Sequence, residues 1–600
     1  MRGVDPQDHP ALVDLIDLGG IDEAVPAGTR LGVDHDPVED VGAGVPLNAH
    51  HLAQMLPVAG EDWHATAEHH VRDLRSQVLH AADPSGPVSR HRPRLPDREM
   101  GLNLASLLTE SAERAPELPA IRLGEDELSY GELDERSARL ATLLREKGIA
   151  PGDRVGVMLP NVPEFPIAYY GVLRAGAVVV PMNVLLKRRE IAFYLEDSGA
   201  KLLLAWHGFC AEARDGAADA GAELIEVEPV SFAELLAEHE PTPGLVDTAE
   251  EETAVILYTS GTTGKPKGAE LTHVNLFRNA DVSSRTTCEI AGGDVVLGAL
   301  PLFHSFGQTV GMNSSLKVGA CLTLVPKFDP AEALATMQRD GVTHFYGVPT
   351  MYGALLHHPE RESYDTSALR TCITGGASMP VEVLRGFEEA FGAVVLEGYG
   401  LSETSPVACS NHPDKERKAG SIGTPIEGVE MKIVDENDEE VTQGEVGEIV
   451  IRGHNIMKGY WERPEATAEA MRGGWFHSGD MARTDEEGYF YIVDRKKDMI
   501  IRGGYNVYPR EVEEVLFEHP KIREAAVVGV PHDQWGEEIG AAVVCHEGEE
   551  LAPEEVSAYV KERIAAYKYP RLVWFLDDLP KGPTGKILKR EIETPAKIDA

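Results

Sequence analysis

The chain has 600 residues, and its 99 acidic against 56 basic residues give a net charge of −43 at pH 7. This length exceeds what one hydrophobic core usually supports, so we expect several structural units, up to about four at roughly 150 residues per domain. Because the charge repels phosphate backbones and anionic lipid, nucleic acid and membrane surfaces are excluded as partners except at local basic patches.

The first 99 residues differ in composition from the rest of the chain. A segment without Lys, Cys, Phe or Tyr cannot build much core, which predicts a poorly ordered extension or a start assigned too early, upstream of Met100. A metal-binding tail is the alternative, but its histidines have no regular ligand spacing. The segment holds nine of the 22 histidines: His9, His35, His50, His51, His64, His69, His70, His80 and His91.

Helices and strands alternate after Met100. The stretch Ser129-Tyr-Gly-Glu132 has the S-x-x-E form of a capping box and precedes helically spaced leucines that end at Gly148. The next stretches, RVGVML, EFPIAYYGVLRAG and AVVVP, predict a strand, a helix and a strand, an order that favours a parallel sheet. Strand patterns recur at KLLLAW, AVILYTS, ACLTLVP, LRTCITGGAS and AVVLEGYG. We therefore predict an α/β body.

The pattern changes from Gly428 onward. Short alternating strands at EMKIVDENDEEV, GEIVIRG and GYFYIVDR predict a small β-rich subdomain. A further unit follows, with helices near PREVEEVLFEHP and PEEVSAYVKERIAAYK and strands at EAAVVGVP and IGAAVVC. We place the junction between Arg495 and Arg502. The predicted fold class is α/β, a large multi-subdomain N-terminal body at 100–496 (parallel α/β sheets plus the β-rich subdomain) and a small α+β C-terminal domain at 497–600.

The cysteines and the apolar runs indicate the compartment. The six cysteines are far apart, without a C-x-x-C pair or zinc-ligand spacing, so we expect reduced thiols: Cys210, Cys288, Cys321, Cys372, Cys409 and Cys545. The first residues lack a signal-peptide pattern, and no run reaches about 18 apolar residues. We expect no transmembrane segment and a cytoplasmic protein.

The stretch YTSGTTGKPKG, Tyr258 to Gly268, predicts a phosphate-binding loop. Glycines let an anion approach several backbone N–H groups, while hydroxyls and two lysines add donors and charge. A flexible linker is the alternative, but linkers rarely carry two lysines after a buried strand. The residues concerned are Thr259, Ser260, Gly261, Thr262, Thr263, Gly264, Lys265 and Lys267.

Two better-known glycine motifs do not fit. A Walker A loop needs four residues between its glycines and Ser or Thr after the lysine, and both Gly261 to Pro266 and Gly582 to Ile587 fail these requirements. The serine-hydrolase elbow G-x-S-x-G fails at Gly400-Leu-Ser402-Glu-Thr404, which lacks the last glycine. An ordinary P-loop nucleotidase and a serine hydrolase are therefore disfavoured.

Seven stretches in order resemble the adenylate-forming superfamily of acyl-CoA synthetases, nonribosomal peptide adenylation domains and beetle luciferases. They are YTSGTTGKPKG, PLFHSFG, GGAS, GYGLSETSP, GWFHSGD, DRKKDMIIRGGYNVYP and PKGPTGK, and the match runs from about Leu102 to about Glu591. The resemblance implies ATP, Mg²⁺ and CoA as cofactor and cosubstrates. A carboxylate attacks the α-phosphate of ATP, pyrophosphate leaves, and the acyl group then passes to a thiol. The glycine loop would hold the β- and γ-phosphates.

The resemblance also assigns nucleotide and metal contacts. Glu403 matches the Mg²⁺-binding glutamate, and Ser402 stands where many relatives have Thr. Asp480 matches the ribose-binding aspartate, and Arg495 matches a second ribose or phosphate contact. The adenine slot and its flanking turn correspond to Gly375, Gly376, Ala377, Tyr399 and Gly400.

Four further positions carry over from the family. His304 falls beside the acyl carboxylate, although a core histidine is the alternative. Lys586 corresponds to the lysine that reaches the carboxylate and α-phosphate during adenylation, and an ordinary solvated lysine is its alternative. Lys497 occupies the hinge position of a mobile C-terminal domain, and Gly504 lines the pantetheine tunnel.

The sequence is less informative about the branch of the family, that is, about the acyl acceptor and the class of acid. PLFHSFG lacks the aspartate that binds a substrate amine, and only 14 residues follow Lys586, so free CoA is expected as the acceptor rather than a carrier domain. Similarity around VVPMNVLLKRREIAFYLEDSGAK and HSFGQTVGMNSSLKVGACLTLVPKFDP favours a medium- or long-chain fatty acid. An aryl or short-chain acid is the alternative substrate. Luciferase chemistry is a remote alternative.

An inactive acyl or nucleotide sensor is the alternative of another class. Such a protein would be expected to lack Lys586, Glu403 or Asp480, and all three are present. The oligomeric state stays open at this point, with a homodimer as one alternative.

Overall fold

The chain alternates helices and strands over most of its length. A computed structural model describes residues 101–259, 266–495, 498–502, 505–532, 535–582 and 585–595. The α-helices are α1 Ser106–Arg114, α2 Tyr130–Glu146, α3 Glu164–Arg174, α4 Arg188–Ser198, α5 Cys210–Ala220, α6 Pro229–Ala237, α7 His273–Val282, α8 Ser314–Val318, α9 Pro330–Asp340, α10 Pro349–Leu356, α11 Val381–Phe391, α12 Pro464–Ala470, α13 Pro509–Phe517 and α14 Pro553–Lys561.

The strands follow in chain order. They are β1 Pro119–Leu123, β2 Asp126–Ser129, β3 Arg154–Met158, β4 Val178–Pro181, β5 Ala200–Trp206, β6 Glu223–Val227, β7 Thr253–Thr259, β8 Lys267–Thr272, β9 Val295–Gly298, β10 Cys321–Leu324, β11 His344–Gly347, β12 Thr371–Thr374, β13 Val394–Gly400, β14 Val407–Ser410, β15 Thr424–Pro425, β16 Val429–Val434, β17 Gly447–Gly453, β18 Gly459–Tyr460, β19 Phe476–Thr484, β20 Phe490–Arg495, β21 Ile500–Arg502, β22 Tyr505–Val507, β23 Ile522–His532, β24 Gly536–Cys545 and β25 Leu572–Phe575.

Short helices of other types complete the elements. Two are π-helical, Ser283–Thr287 and Phe306–Asn313. The others are 3₁₀ turns: His207–Phe209, Arg361–Ser363, Ser402–Thr404, Arg472–Gly474 and Lys589–Glu591. π-Helical turns are rare and are frequently found at functional sites. Both π-helices contribute to the cavity described below.

Two large sheets form the N-terminal body. One has the order β15-β14-β13-β12-β11-β9-β10-β1-β2, and the other has the order β18-β8-β7-β4-β3-β5-β6. The central neighbours β3, β4 and β5 pair in parallel, as do β9, β11, β12 and β13. This confirms the parallel α/β body expected from the alternation of strands and helices.

Local sequence explains the first of these units. The Ser129 hydroxyl accepts from the Glu132 backbone N–H and the Glu132 carboxylate accepts from the Ser129 N–H, so the predicted capping box is present. The leucines at 133, 140, 143 and 144 are all buried. Helix α3, which has no polar face, is buried along its whole length, because it lies between α2 and the strands β3 and β4.

A smaller antiparallel sheet completes the body after the two large ones. Its order is β16-β17-β19-β20, as predicted for the segment after Gly428, although β19 was not recognised from the sequence. Strands β19 and β20 place Asp480 directly opposite Arg495. The pairing therefore brings two predicted nucleotide contacts together.

The C-terminal segment forms a separate hydrophobic core. Strands β22-β21-β24-β23 form a sheet that β25 joins in parallel to β24. Helices α13 and α14 add Val512, Leu516, Val556 and Val560 to a core shared with this sheet. The smaller α+β C-terminal domain is thus confirmed. The boundary between 496 and 497 stays a prediction, because both residues lie outside the described part of the chain.

The cysteines of the chain lie mostly in its interior. All six cysteines are free, and all but Cys545 are buried. Burial raises the pKa of Cys210 to about 11 and that of Cys288 to about 12. Within the described ranges, no helix has both the length and the apolar character needed to span a bilayer.

Candidate functional site

A cavity of about 950 Å³ is lined by residues of the two large sheets, the smaller antiparallel sheet and the last part of the described chain. Twelve predicted site residues line it: Thr259, Lys267, His304, Gly375, Gly376, Tyr399, Gly400, Ser402, Glu403, Asp480, Arg495 and Lys586. Ala377 lines an adjoining cavity of about 730 Å³, which shares several walls with the first. The predicted residues Ser260, Gly261, Thr262, Thr263, Gly264, Lys265, Lys497 and Gly504 lie outside the described residues.

The predicted phosphate loop joins two paired strands. Strands β7 and β8 are antiparallel, and Thr259 lies opposite Lys267 in their register. The Lys267 ammonium lies 5.0 Å from the centre of the Tyr460 ring. Both ends of the loop are therefore at the wall of the large cavity, with one cation already fixed there.

Glu403 lies in the 3₁₀ turn Ser402–Thr404 and is held by two hydroxyl donors. Its Oε1 accepts hydrogen bonds from Thr259 Oγ1 at 3.2 Å and from the Tyr460 hydroxyl at 3.0 Å. Burial and the Glu403 charge raise the pKa of Tyr460, so this phenol stays a donor. Sequence reasoning did not single out Tyr460, because an aromatic residue in KGYWERP fits a core position equally well.

Asp480 is buried and contacts two other predicted residues. Its Oδ2 accepts a 2.7 Å hydrogen bond from the Tyr399 hydroxyl, and its Oδ1 lies 3.1 Å from Arg495 Nε. The Asp480 carboxylate raises the pKa of Arg495, and burial, together with that carboxylate, raises the pKa of Tyr399. The Asp480 carboxylate is thus held in one orientation at the cavity wall by a hydroxyl and a guanidinium.

Close backbone packing requires glycine beside this carboxylate. A Cβ on Gly400 would lie 1.8 Å from the Pro406 carbonyl oxygen, which no side-chain movement could relieve. The glycine therefore lets β13 turn closely past the segment that carries Ser402 and Glu403. Ser402 Oγ itself lies 3.5 Å from Ser305 Oγ.

His304 and Lys586 meet in the cavity although 282 positions separate them in the sequence. Burial and then the Lys586 charge lower the pKa of His304 to about 4. The His304 Nδ1 accepts from the Phe306 backbone N–H at 3.3 Å, so the neutral ring carries its proton on Nε2. The histidine is therefore a neutral donor, not a cation, at neutral pH.

Backbone contacts place Lys586 at this wall. Its carbonyl accepts from the Gly582 N–H at 2.8 Å, and Lys581 and Ile587 form an antiparallel bridge around the turn. Gly585 has φ of +76°, and a Cβ there would lie 2.9 Å from Val348 Cγ2. The turn that carries Lys586 therefore lies in direct contact with the start of α10.

Arg510 joins the C-terminal domain to the body beside the adjoining cavity. Its Nη1 donates to the Ile492 carbonyl at 2.8 Å and its Nη2 donates to the Gly420 carbonyl at 3.3 Å. The same guanidinium lies 4.0 Å from Glu397 Oε1. Burial raises the pKa of Glu397 to about 7, since Arg510 and the Met379 N–H offset the burial only partly.

The residues fit a magnesium ion shared with a phosphate ligand. Across the described ranges, no group of three or more His, Cys, Asp or Glu side chains could hold a metal ion. Glu403 offers one oriented carboxylate, and Mg²⁺ is commonly bound through one or two carboxylates together with substrate phosphates and water. A protein-only metal site is not needed for such an ion.

Family models match most of the described chain. The model of AMP-binding enzymes matches residues 108–461, and the model of the AMP-binding enzyme C-terminal domain matches residues 511–586. The two matches cover the body and the smaller domain separately. Glu403 and His304 lie within the first match, and Lys586 is the last residue of the second.

Characterised proteins are similar over nearly the same length. A long-chain-fatty-acid–CoA ligase of Bacillus subtilis (strain 168) is 40% identical over 525 residues, covering 82% of this chain and 94% of the relative. A feruloyl-CoA synthase of an Amycolatopsis species is 41% identical over 490 residues, covering 82% and 98%. The crystal structure of ATP-bound MatB from Rhodopseudomonas palustris matches with a TM-score of 0.77 and 34% identity, covering 82% and 98%.

Proposed function

Because the chain belongs to the AMP-binding enzyme family and is an AMP-forming acyl-CoA ligase, we propose that it joins a medium- or long-chain fatty acid to CoA. The acid and ATP form an acyl adenylate and pyrophosphate, and CoA then takes the acyl group and releases AMP. The substrates are the carboxylic acid, ATP and CoA. An aryl acid is the second candidate, because the feruloyl-CoA synthase is as similar as the long-chain ligase.

One observation carries the proposal: the charge of Lys586 acts on His304 within the cavity that also holds Asp480 and Glu403. A cation beside a neutral N–H donor suits a site where negative charge collects on phosphorus and carboxylate oxygens. We assign to Lys586 the stabilisation of that charge. His304 Nε2–H is assigned to orient the acid.

Other residues of the same cavity are assigned to the nucleotide. The Asp480 carboxylate, held by Tyr399 and Arg495, would accept the two ribose hydroxyls. Gly375 and Gly376 offer backbone for the adenine edge. Thr259 and Lys267, at the ends of the loop, would bind phosphate oxygens together with the loop residues between them.

Glu403 is proposed as the single protein ligand of Mg²⁺, which supplies charge neutralisation for the phosphates when bound. The Thr259 and Tyr460 hydroxyls bond to Oε1 and so fix the orientation of the carboxylate. Lys497 as the hinge and Gly504 in the CoA tunnel remain assignments by resemblance.

We also propose a cytoplasmic location, which the six free thiols support. The net charge of −43 supports the absence of a nucleic-acid partner.

A panel of acids tests the function. Purified full-length protein is incubated with ATP, Mg²⁺, CoA and one acid at a time, and pyrophosphate release and acyl-CoA mass are measured. We expect thioester from fatty acids, with kcat/KM highest in the medium- to long-chain range. Thioester from aryl acids alone would favour the second candidate. Absence of thioester from all acids would refute the function.

A further inference from the structure

Four side chains form a closed network of contacts at the wall of the large cavity. They are Thr259, Lys267, Glu403 and Tyr460, and all four line the cavity. Thr259 lies opposite Lys267 in the register of β7 and β8, and its hydroxyl donates to Glu403 Oε1. Tyr460 closes the network, because its hydroxyl also donates to Glu403 Oε1 and its ring face lies against the Lys267 ammonium. One side chain therefore contacts both the proposed metal ligand and a proposed phosphate-binding cation.

Strand register explains why Tyr460 reaches Lys267. Tyr460, on the two-residue strand β18, lies opposite Ala269 of β8. Successive side chains of a strand point to opposite faces, so Ala269 and Lys267, two positions apart, share one face of the sheet. Diagonal neighbours of this kind are within reach of aromatic and long side chains. The contact between the ring and the ammonium is therefore built into the pairing of the two strands.

Backbone hydrogen bonds hold Tyr460 in place on both sides. Its own N–H donates to Thr467 Oγ1 of α12 at 2.9 Å, and the N–H of the next residue, Trp461, donates to the Gly268 carbonyl of β8 at 2.8 Å. Tyr460 is thus fixed to a helix and a strand of the body. Its side chain can transmit a change at Glu403 to Lys267 because its backbone is anchored.

The two hydroxyl bonds to Glu403 share one carboxylate oxygen. Thr259 Oγ1 lies 3.2 Å and the Tyr460 hydroxyl 3.0 Å from Oε1, so Oε2 is the oxygen that these donors leave to a metal ion. Partners that orient a metal ligand without touching the metal commonly change metal affinity by about 10- to 100-fold when they are replaced. The Tyr460 hydroxyl stands in that relation to Glu403.

We propose that Tyr460 is a positioning residue that couples metal binding at Glu403 to phosphate binding at Lys267. The hydroxyl orients the metal ligand, and the ring face holds the ammonium at the same cavity wall. Because one anchored side chain makes both contacts, binding at either position stabilises the arrangement that the other needs. The inference rests on the proposed function, since it requires that Glu403 binds Mg²⁺ and that Lys267 binds a phosphate of ATP.

Two substitutions separate the two parts of the side chain. Tyr460→Phe removes the hydroxyl and keeps the ring against Lys267, whereas Tyr460→Leu removes both. Tyr491 offers a matched control outside the cavity lining: its hydroxyl donates to Asp485 Oδ2 at 3.1 Å, and the Arg483 guanidinium lies 4.9 Å from the centre of its ring. Tyr491→Phe and Tyr491→Leu therefore remove the same kinds of contact at a position with no proposed role in catalysis.

Binding of ATP without the acid measures the coupling in the absence of turnover. Calorimetry on the full-length protein gives the Kd of ATP with Mg²⁺ and with EDTA, and the ratio of the two is the gain in affinity due to the metal. We expect Tyr460→Phe to reduce this gain by about tenfold and to leave the Kd in EDTA within about twofold of wild type. Tyr460→Leu should also weaken binding in EDTA, by about two- to fivefold, because the ammonium has lost its aromatic contact. Both Tyr491 variants should keep the wild-type gain.

Combined variants test whether the two contacts depend on each other. In a Glu403→Gln background no charged ligand is left to orient, so adding Tyr460→Phe should change the gain by less than about twofold. Lys267→Ala should reduce the gain when Tyr460 is present and leave it unchanged in a Tyr460→Leu background. Independent, additive effects of these substitutions would overturn the coupling.

The outcomes separate this inference from the proposed function. A wild-type gain in Tyr460→Phe would overturn the inference, and so would an equal loss in Tyr491→Phe, which would reveal a general effect on stability. A protein that binds ATP with a Tyr460-dependent gain from Mg²⁺, yet forms no thioester from any acid, would support the inference and refute the proposed function. Thioester formation with a gain that does not depend on Tyr460 would do the reverse.

Discussion

The Thr350 hydroxyl donates a 3.0 Å hydrogen bond to the Gly585 carbonyl, which belongs to the residue before Lys586. Thr350 lies in the first turn of α10, in the body, whereas Gly585 belongs to the C-terminal domain. The bond therefore fixes the turn that carries the proposed catalytic lysine against the wall where His304 lies. Removing it should loosen the lysine without touching any substrate contact.

Thr350→Val should slow adenylation and leave thioester formation intact. A neutral hydrogen bond contributes about 0.5–1.5 kcal/mol, so we expect roughly a two- to tenfold lower rate of acyl-adenylate synthesis. Single-turnover assays with ATP and acid, and separately with supplied acyl adenylate and CoA, measure the two steps. Thr142→Val is the control, because the Thr142 hydroxyl bonds to the Glu240 carbonyl within the body. Equal loss in both steps would contradict the prediction.

Lys586→Ala should have a larger effect on the same step. A preorganised cation at developing charge is worth about 3–4 kcal/mol, which predicts a loss on the order of a hundred- to a thousandfold in adenylation. Conversion of supplied acyl adenylate and CoA should stay near the wild-type rate. Lys521→Ala, which removes a lysine paired with Glu549 at the surface, serves as the control. A Lys586→Ala enzyme that adenylates normally would refute the assignment.

Glu403→Gln should raise the Mg²⁺ requirement more than it lowers stability. The amide keeps the shape and can still accept from Thr259 and Tyr460, but it has lost the charge that attracts the ion. We expect the Mg²⁺ concentration at half-maximal activity to rise by at least about tenfold. Glu430→Gln, at an exposed pair with Arg452, is the control. An unchanged Mg²⁺ titration would show that Glu403 is not a ligand.

Asp480→Asn should weaken recognition of the ribose. The wild-type carboxylate accepts from Tyr399 and lies beside Arg495, whereas the amide offers only one accepting oxygen. We expect kcat/KM for ATP to fall while kcat/KM for dideoxy-ATP, which lacks both ribose hydroxyls, changes little. The ratio between the two nucleotides is the measured quantity. If the variant discriminates between them as strongly as wild type does, Asp480 does not bind the ribose. Asp435→Asn, in an exposed turn, controls for loss of charge.

The raised pKa of Glu397 predicts that the stability of the protein depends on pH. Its pKa of about 7 lies above the ordinary value of 4.5, so the protonated group stabilises the folded state below about pH 4.5, and this contribution is lost as pH rises through 7. Glutamine does not titrate. The free energy of unfolding of Glu397→Gln relative to wild type should therefore increase from about pH 5 to about pH 8, by up to about 3 kcal/mol at about 1.4 kcal/mol per pKa unit.

Urea unfolding of both proteins at the two pH values measures this difference. Arg510 lowers the pKa of Glu397 and Glu514 raises it, so the effects of these two charges partly cancel. Arg510→Gln should therefore raise the pKa of Glu397 further. A pH-independent difference between wild type and Glu397→Gln would mean that Glu397 has an ordinary pKa.

Local signals predicted the elements better than the contacts between them. The capping box at Ser129 and the strand–helix–strand order specify β3, α3 and β4, because these patterns depend on residues close in sequence. Strand β19, with its polar FHSGDMART sequence, was missed, since its burial does not alternate regularly and one of its buried residues is the polar Asp480.

The site residues also fall into those that a local motif indicates and those that only the fold brings together. Resemblance located Glu403, Asp480 and Lys586, because their motifs are short and contiguous. Tyr460, which orients Glu403, and Thr350, which holds the turn before Lys586, act through pairs separated by 57 and 235 positions. No local pattern can indicate such pairs.

The buried thiols decide how the enzyme can be assayed. Burial raises the pKa of Cys288 and Cys210 far above neutrality, so almost none of either thiol is ionised at pH 8, and a chromogenic disulfide reagent reacts with the thiolate. Cys545 is the one cysteine that is not fully buried, and its pKa is raised as well. The protein should therefore contribute at most one slowly reacting equivalent, and colour lost from such a reagent would report the consumption of free CoA directly.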